Sequence, residues 1–216
     1  MENQYIIKVE HVTKKFADAA VLNDVTVNFF QGRIHGITGR NGSGKTMLMK
    51  CICGFSTPTE GCVTVAGKVV GKDVEIPDNL GVIIETPEFI TNYSGCKNLK
   101  LLAAVKNKVS RQKIADTMKR VGLDTGSRKH VGKYSLGMRQ RLGIAQAIME
   151  EPEILILDEP MNGLDYDGVS QMRELFLNLK EQGKIILLAS HNREDIDVLC
   201  DCVYEMDKGK SVKMMK

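Results

Sequence analysis

Over the first 85 residues, apolar and polar positions alternate at the two-residue spacing of half-buried strands. The pattern predicts strands at Tyr5–Val9, Val25–Phe30 and Arg33–Thr38, and GCVTVAGKVV predicts a further pair joined by a glycine turn. A helix interrupts them from Lys45 to about Cys53, stopped by Gly54 and then Pro58. Leu80–Ile84 reads as a buried strand. After Pro87 the period changes. KNLKLLAAVKNK, RQKIADTMKR and SLGMRQRLGIAQAIMEE carry apolar residues at the spacing of helices that bury one face. Strands return at ILILDEP, followed by a helix over about 167–181, the strand KIILLAS, a helix from near Arg193 and the strand CVYEM. Such alternation implies a parallel sheet with crossover helices. The expected organisation is one domain, 1–216. Residues 1–85 and 151–216 form an α/β core with a mostly parallel sheet and an antiparallel β-subdomain near the N-terminus, and 86–150 form an inserted α-helical subdomain.

Composition narrows the function classes. The 216 residues are 43% hydrophobic and 26% charged, which is ordinary for a globular domain. A net charge of +3 is too small for a nucleic-acid surface, so no nucleic-acid partner is expected. Lys208, Lys210, Lys213 and Lys216 read as a solvated basic end. The longest apolar runs, Ile154–Leu157 and Ile185–Ala189, are strand-sized and far short of a membrane span. MENQYIIKVE lacks the basic region and apolar stretch of a secretion signal. Cys51, Cys53, Cys62, Cys96, Cys200 and Cys202 have no zinc spacing and read as reduced, mostly buried side chains of a cytosolic protein.

Chemistry enters at GRNGSGKT, which fits G-x-x-x-x-G-K-[ST] between a predicted strand and a predicted helix. Gly39, Arg40, Asn41, Gly42, Ser43 and Gly44 would turn backbone N–H groups around phosphate oxygens, with the following helix adding its dipole. Lys45 would reach the β- and γ-phosphates, and the Thr46 hydroxyl would ligate Mg²⁺. ILILDEP delivers Asp158 to the C-terminal end of a buried strand, where open α/β sheets bind ligands. Asp158 suits the Mg²⁺ shell, and Glu159 suits the base that activates the attacking water. Together these elements describe a P-loop nucleotide triphosphatase. His191, after the strand of LLASHN, is expected at the same sheet edge as a γ-phosphate contact. His11, His35 and His130 read as structural.

The order of elements resembles the nucleotide-binding subunit of an ABC transporter across almost the whole chain: phosphate loop, helical insert, Ser-x-Gly signature, Asp-Glu strand, NGLD loop and histidine. The resemblance implies two subunits stacked head to tail, homo- or heterodimeric, with each ATP between the phosphate loop of one and the signature of the other. Ser135 and Gly137, opening a helix, would then offer its N-terminus to the γ-phosphate, although Ser135 could also simply cap that helix. Phe16 matches the aromatic that stacks on adenine, although alone it would read as core. Asp165 matches the loop that crosses the dimer interface. Glu85 matches the metal-contacting loop between core and insert, where most members have glutamine. Leu136, Met138 and Arg40 also depart from common residues. IIETPEF and YSLGMRQRLGIA look like the bacitracin and lantibiotic exporter branch. The implied function is an ATPase subunit that powers a separate transmembrane permease, held at the cytoplasmic face of the membrane through that partner. Its docking region would be near Glu85–Leu101. A regulatory ABC ATPase acting on a membrane partner, or a soluble one, are the alternatives.

Overall fold

A computed structural model describes residues 5–17, 19–106 and 109–214. In chain order the elements are β1 (Tyr5–Phe16), β2 (Ala19–Phe30), β3 (Ile34–Thr38), α1 (Lys45–Ile52), β4 (Glu60–Val65), β5 (Lys68–Val69) and β6 (Leu80–Ile83). There follow α2 (Gly95–Lys106), α3 (Arg111–Arg120), α4 (Leu136–Ile148), β7 (Ile154–Asp158), α5 (Tyr166–Glu181), β8 (Ile185–Ala189), α6 (Arg193–Leu199), β9 (Cys202–Asp207) and β10 (Lys210–Met214). The expected helix over KNLKLLAAVKNK is α2, and its last two residues, Asn107 and Lys108, lie outside the described residues.

Two sheets divide the core. The first is antiparallel, in the order β2-β1-β4-β5. The second runs β10-β9-β3-β8-β7-β6 and is parallel except for the edge strand β10. Strands β7 (ILILD) and β8 (IILLA) are buried along their whole length, as central strands of a sheet covered on both faces must be. Their side chains alternate between two cores. Leu155, Leu157, Ile186 and Leu188 pack with α4 and α5, whereas Ile154, Ile156, Ile185 and Leu187 pack with α1 and the antiparallel sheet. Burying each such side chain contributes roughly 1.5–3 kcal/mol. Between residues 86 and 150 the described residues form three α-helices and a short 3₁₀ turn but no strand.

The structure departs from the sequence pattern at both ends. The β1–β2 hairpin continues to Phe16 and Ala19, well beyond the expected limits of Val9 and Val25. Bulges lie between Val9 and Val12 and between Val12 and Lys14, and each extra residue breaks the two-residue period on which the expectation rested. At the other end the solvated reading holds for the described lysines, with a strand that the pattern did not predict. Lys208 and Lys210 are exposed, but they belong to the antiparallel β9–β10 hairpin, in which Lys210 pairs with Asp207. Lys216 lies outside the described residues.

The buried His35 has the structural role expected of it. Its Nε2 lies 2.9 Å from the Phe30 backbone N–H and 3.0 Å from the Phe30 carbonyl, while burial pushes its pKa down to about 4. All six cysteines are free thiols, four of them buried. Burial pushes the Cys51 and Cys53 thiols up to about 11 and about 12, which leaves them unreactive. Among the described residues no helix is long and apolar enough to cross a membrane.

Candidate functional site

A cavity of about 730 Å³ opens at the C-terminal ends of the parallel strands, where β3 runs into α1. The phosphate loop forms its floor, with Asn41, Gly42, Ser43, Gly44, Lys45 and Thr46 all lining it. Two glycines are required here. Gly39 has φ 138, and a Cβ there would collide with the Met206 carbonyl. Gly44 has φ 105, and a Cβ there would lie 2.9 Å from both Leu22 Cδ2 and the Val21 carbonyl. Gly44 is also the N-cap of α1 and provides no side-chain cap. The first N–H groups of α1 are therefore left free of a side-chain partner, as an anion site needs. The Ser43 hydroxyl is buried in this loop and has no hydrogen-bond partner, and a phosphate oxygen would satisfy it. Lys45 Nζ donates to the carbonyls of Gly39 and Arg40, at 2.8 and 3.2 Å.

The acidic wall comes from the end of β7. Thr46 Oγ1 donates to Asp158 Oδ2 at 2.6 Å, which brings a hydroxyl of α1 and a carboxylate of β7 together. This pair of hard oxygen donors fits Mg²⁺, which takes one or two protein ligands and completes its shell with phosphate and water. Among the described residues no group of three or more His, Cys, Asp or Glu side chains could hold a metal without such help. Glu159 follows at φ 50, in the left-handed region, and also lines the cavity. His191 Nδ1 lies 2.9 Å from Glu159 Oε2. The backbone of Glu159 is also fixed. Its N–H donates to the Ala189 carbonyl and its own carbonyl accepts from Gln140 Nε2.

Other expected site residues lie apart. Phe16 is 52% exposed near the tip of the β1–β2 hairpin, beneath the Lys14 ammonium, and does not line the cavity. Ser135 caps α4 by accepting from the Met138 N–H at 3.2 Å. Asp165 caps α5 through the Gly168 N–H at 3.0 Å. Gly137 has an intrachain reason that capping did not supply: a Cβ there would lie 2.8 Å from the Gly163 carbonyl. The reverse contact is as tight, since a Cβ on Gly163 would meet Leu136 at 2.5 Å. The signature and the NGLD loop thus pack on each other, and of the signature only Leu136 lines the cavity of its own chain.

Glu85 does line the cavity, but its carboxylate accepts from Lys50 Nζ at 2.6 Å. Sequence reasoning missed Lys50, as well as Gln140 and Asn162. The available signal for Lys50 was its place one helical turn after Thr46. For Gln140 there was no signal, because its contact to Glu159 exists only once α4 is packed against the end of β7.

A phosphate cradle at the head of α1, with a Thr–Asp pair and a buttressed glutamate at the neighbouring strand end, defines a P-loop nucleotide triphosphatase. Comparison with known proteins sets the family. The ABC transporter family model matches residues 22–162. The chain is 43% identical to an uncharacterized ABC transporter ATP-binding protein, YybJ, of Bacillus subtilis, over 95% of this chain and 94% of that protein. It is 40% identical to the bacitracin transport ATP-binding protein BcrA of Enterococcus faecalis, over 97% and 69%. Identity to the lantibiotic transport ATP-binding protein SrtF of Streptococcus pyogenes is 33%, over 96% and 89%. Among solved structures, cbiO1 of Clostridium perfringens, part of the transporter complex cbiONQ, superposes with a TM-score of 0.83 at 28% identity, over 99% and 88%. The dimeric cassette MJ0796 bound to ADP and Pi shares the fold, with a TM-score of 0.87 at 22% identity, over 97% and 98%. The chain belongs to the ABC transporter family, as an ATP-binding subunit and an ATPase.

Proposed function

We propose that this chain binds Mg·ATP in the phosphate-loop cavity and uses its hydrolysis to drive a separate membrane-spanning permease that exports an antimicrobial peptide. The observation that carries the catalytic part is the continuous contact line Thr46–Asp158–Glu159–His191, set beside a cradle whose buried Ser43 hydroxyl has no partner. Bound Mg²⁺ would be held by Thr46 Oγ1 and Asp158, and would neutralise phosphate charge. Lys45 turns from the loop carbonyls to the β- and γ-phosphates. Glu159 takes a proton from water as the water oxygen bonds to the γ-phosphorus. The bond from that phosphorus to the β–γ bridging oxygen breaks, and ADP leaves with the electron pair. His191 holds the Glu159 carboxylate in place and reaches the γ-phosphate from the same position.

Ser135, Gly137 and Asp165 act across a head-to-tail dimer, on ATP held by the other subunit. Phe16 stacks on the adenine. The relatives that transport bacitracin and lantibiotics support the peptide cargo, and the chain sits on the cytoplasmic face of the membrane through its permease. The test is a native pull-down of the tagged chain from detergent-solubilised membranes, with the captured proteins identified by mass spectrometry. The expected result is a polytopic membrane protein in stoichiometric amount. Capture of soluble partners alone, repeatedly and in mild detergent, would remove transport and leave an ATPase with another role.

A further inference from the structure

Lys50 has no part in the roles assigned above, and its partner is Glu85, the residue matched to the metal-contacting loop. Lys50 lies on α1, one turn beyond Thr46, so it projects from the helix that the phosphate loop heads. Glu85 is the second residue past β6, held in the left-handed region at φ 62, a conformation that non-glycine residues adopt infrequently. Their side chains meet at 2.6 Å on the cavity wall. The charge balance of that wall is uneven. Glu85, Asp158 and Glu159 line it with carboxylates, against the ammonium groups of Lys45 and Lys50. In the ATP reading Lys45 is taken up by the β- and γ-phosphates, and the triphosphate brings further negative charge into the same space. A free carboxylate at Glu85 would repel that ligand across a cavity where water screens incompletely.

We propose that Lys50 is a positioning residue for Glu85. It draws that carboxylate against α1, offsets its charge, and so lets a glutamate stand on the wall of a triphosphate cavity. The inference rests on the ATP reading above. Lys50 is 29% exposed and Glu85 66% exposed, and a pair this open to water adds little to folding. Its loss is therefore expected in ligand affinity and scarcely in stability.

The experiment is a four-variant cycle, read by fluorescence titration with trinitrophenyl-ATP in the presence of a metal chelator, with the thermal midpoint of each nucleotide-free protein alongside. Relative to the natural chain, Lys50→Met weakens binding about tenfold. In the Glu85→Gln background the same Lys50→Met change alters affinity less than about twofold, because no charge at position 85 remains to be offset. Lys50→Arg retains binding within about threefold, and the midpoints stay within about 2 °C of one another. An equal loss from Lys50→Met in both backgrounds would mean that Lys50 meets the nucleotide itself, and would overturn the proposal. So would no loss in either. If the natural chain itself fails to bind the analogue even with Mg²⁺ supplied in place of the chelator, the ATP reading falls as well, an outcome distinct from the other two.

Discussion

Helices α1 and α4 both begin on residues to which the proposed function gives a part in binding nucleotide, yet their N-termini are built in opposite ways. α1 starts at a left-handed glycine with no side-chain cap, between the buried Ser43 and Lys45. Its free N–H groups and the unpartnered Ser43 hydroxyl wait on a ligand for satisfaction. α4 starts at Ser135, whose Oγ already accepts from the Met138 N–H. Its first turn is exposed at Leu136 and backed by the Gly163 carbonyl. The first terminus is a pocket within one chain, and the second is a finished surface. Accepting that bond leaves the Ser135 hydroxyl hydrogen free to donate. In the proposed head-to-tail pairing, the phosphate that this face meets would be carried to it by the cradle of the other subunit.

The largest expected effect tests the pocket side of this contrast. Glu159→Gln should lower steady-state phosphate release by about a hundredfold or more, because a general base is lost. Nucleotide affinity by fluorescence titration should stay within about threefold; turnover near that of the natural chain would refute the base assignment. The next test sets the two sides against each other. Lys45→Ala leaves the signature intact, and Ser135→Arg leaves the cradle intact, so each alone is inactive if sites are shared across a two-fold dimer. Mixing them in equal amounts should restore about a quarter of the natural activity, from one intact site in each mixed dimer. No recovery on mixing would place the signature outside the site. The smallest effect is on the cap alone. Ser135→Ala should cost about 1 kcal/mol of stability, read as a fall of roughly 2–4 °C in the thermal midpoint, while nucleotide binding to the isolated chain is retained.

How far the sequence reached differs between elements for physical reasons. Strands β7 and β8 and the phosphate loop were legible because each is specified locally: a run of buried apolar residues in one case, glycines with positive φ in the other. Hairpin β1–β2 was legible only where its alternation is regular, since bulges past Val9 displace each later side chain to the other face. Within the site, Asn41–Thr46, Asp158 and Glu159 were readable as motifs. Lys50 and Gln140 were not, because their partners are brought up by packing between segments far apart in the chain. Gly137 was readable as unusual, but its reason, the Gly163 carbonyl, belongs to a loop that only the fold sets beside it.

The turn between β9 and β10 gives the cradle a dependence on time. The Gly209 N–H donates to the Ser43 carbonyl, the Asn23 N–H donates to the Gly209 carbonyl, and the Met206 carbonyl fills the space that Gly39 leaves open. The phosphate loop thus rests on a segment that the ribosome makes long after the loop itself. These contacts can form only after the β9–β10 turn has emerged and folded back beneath the loop.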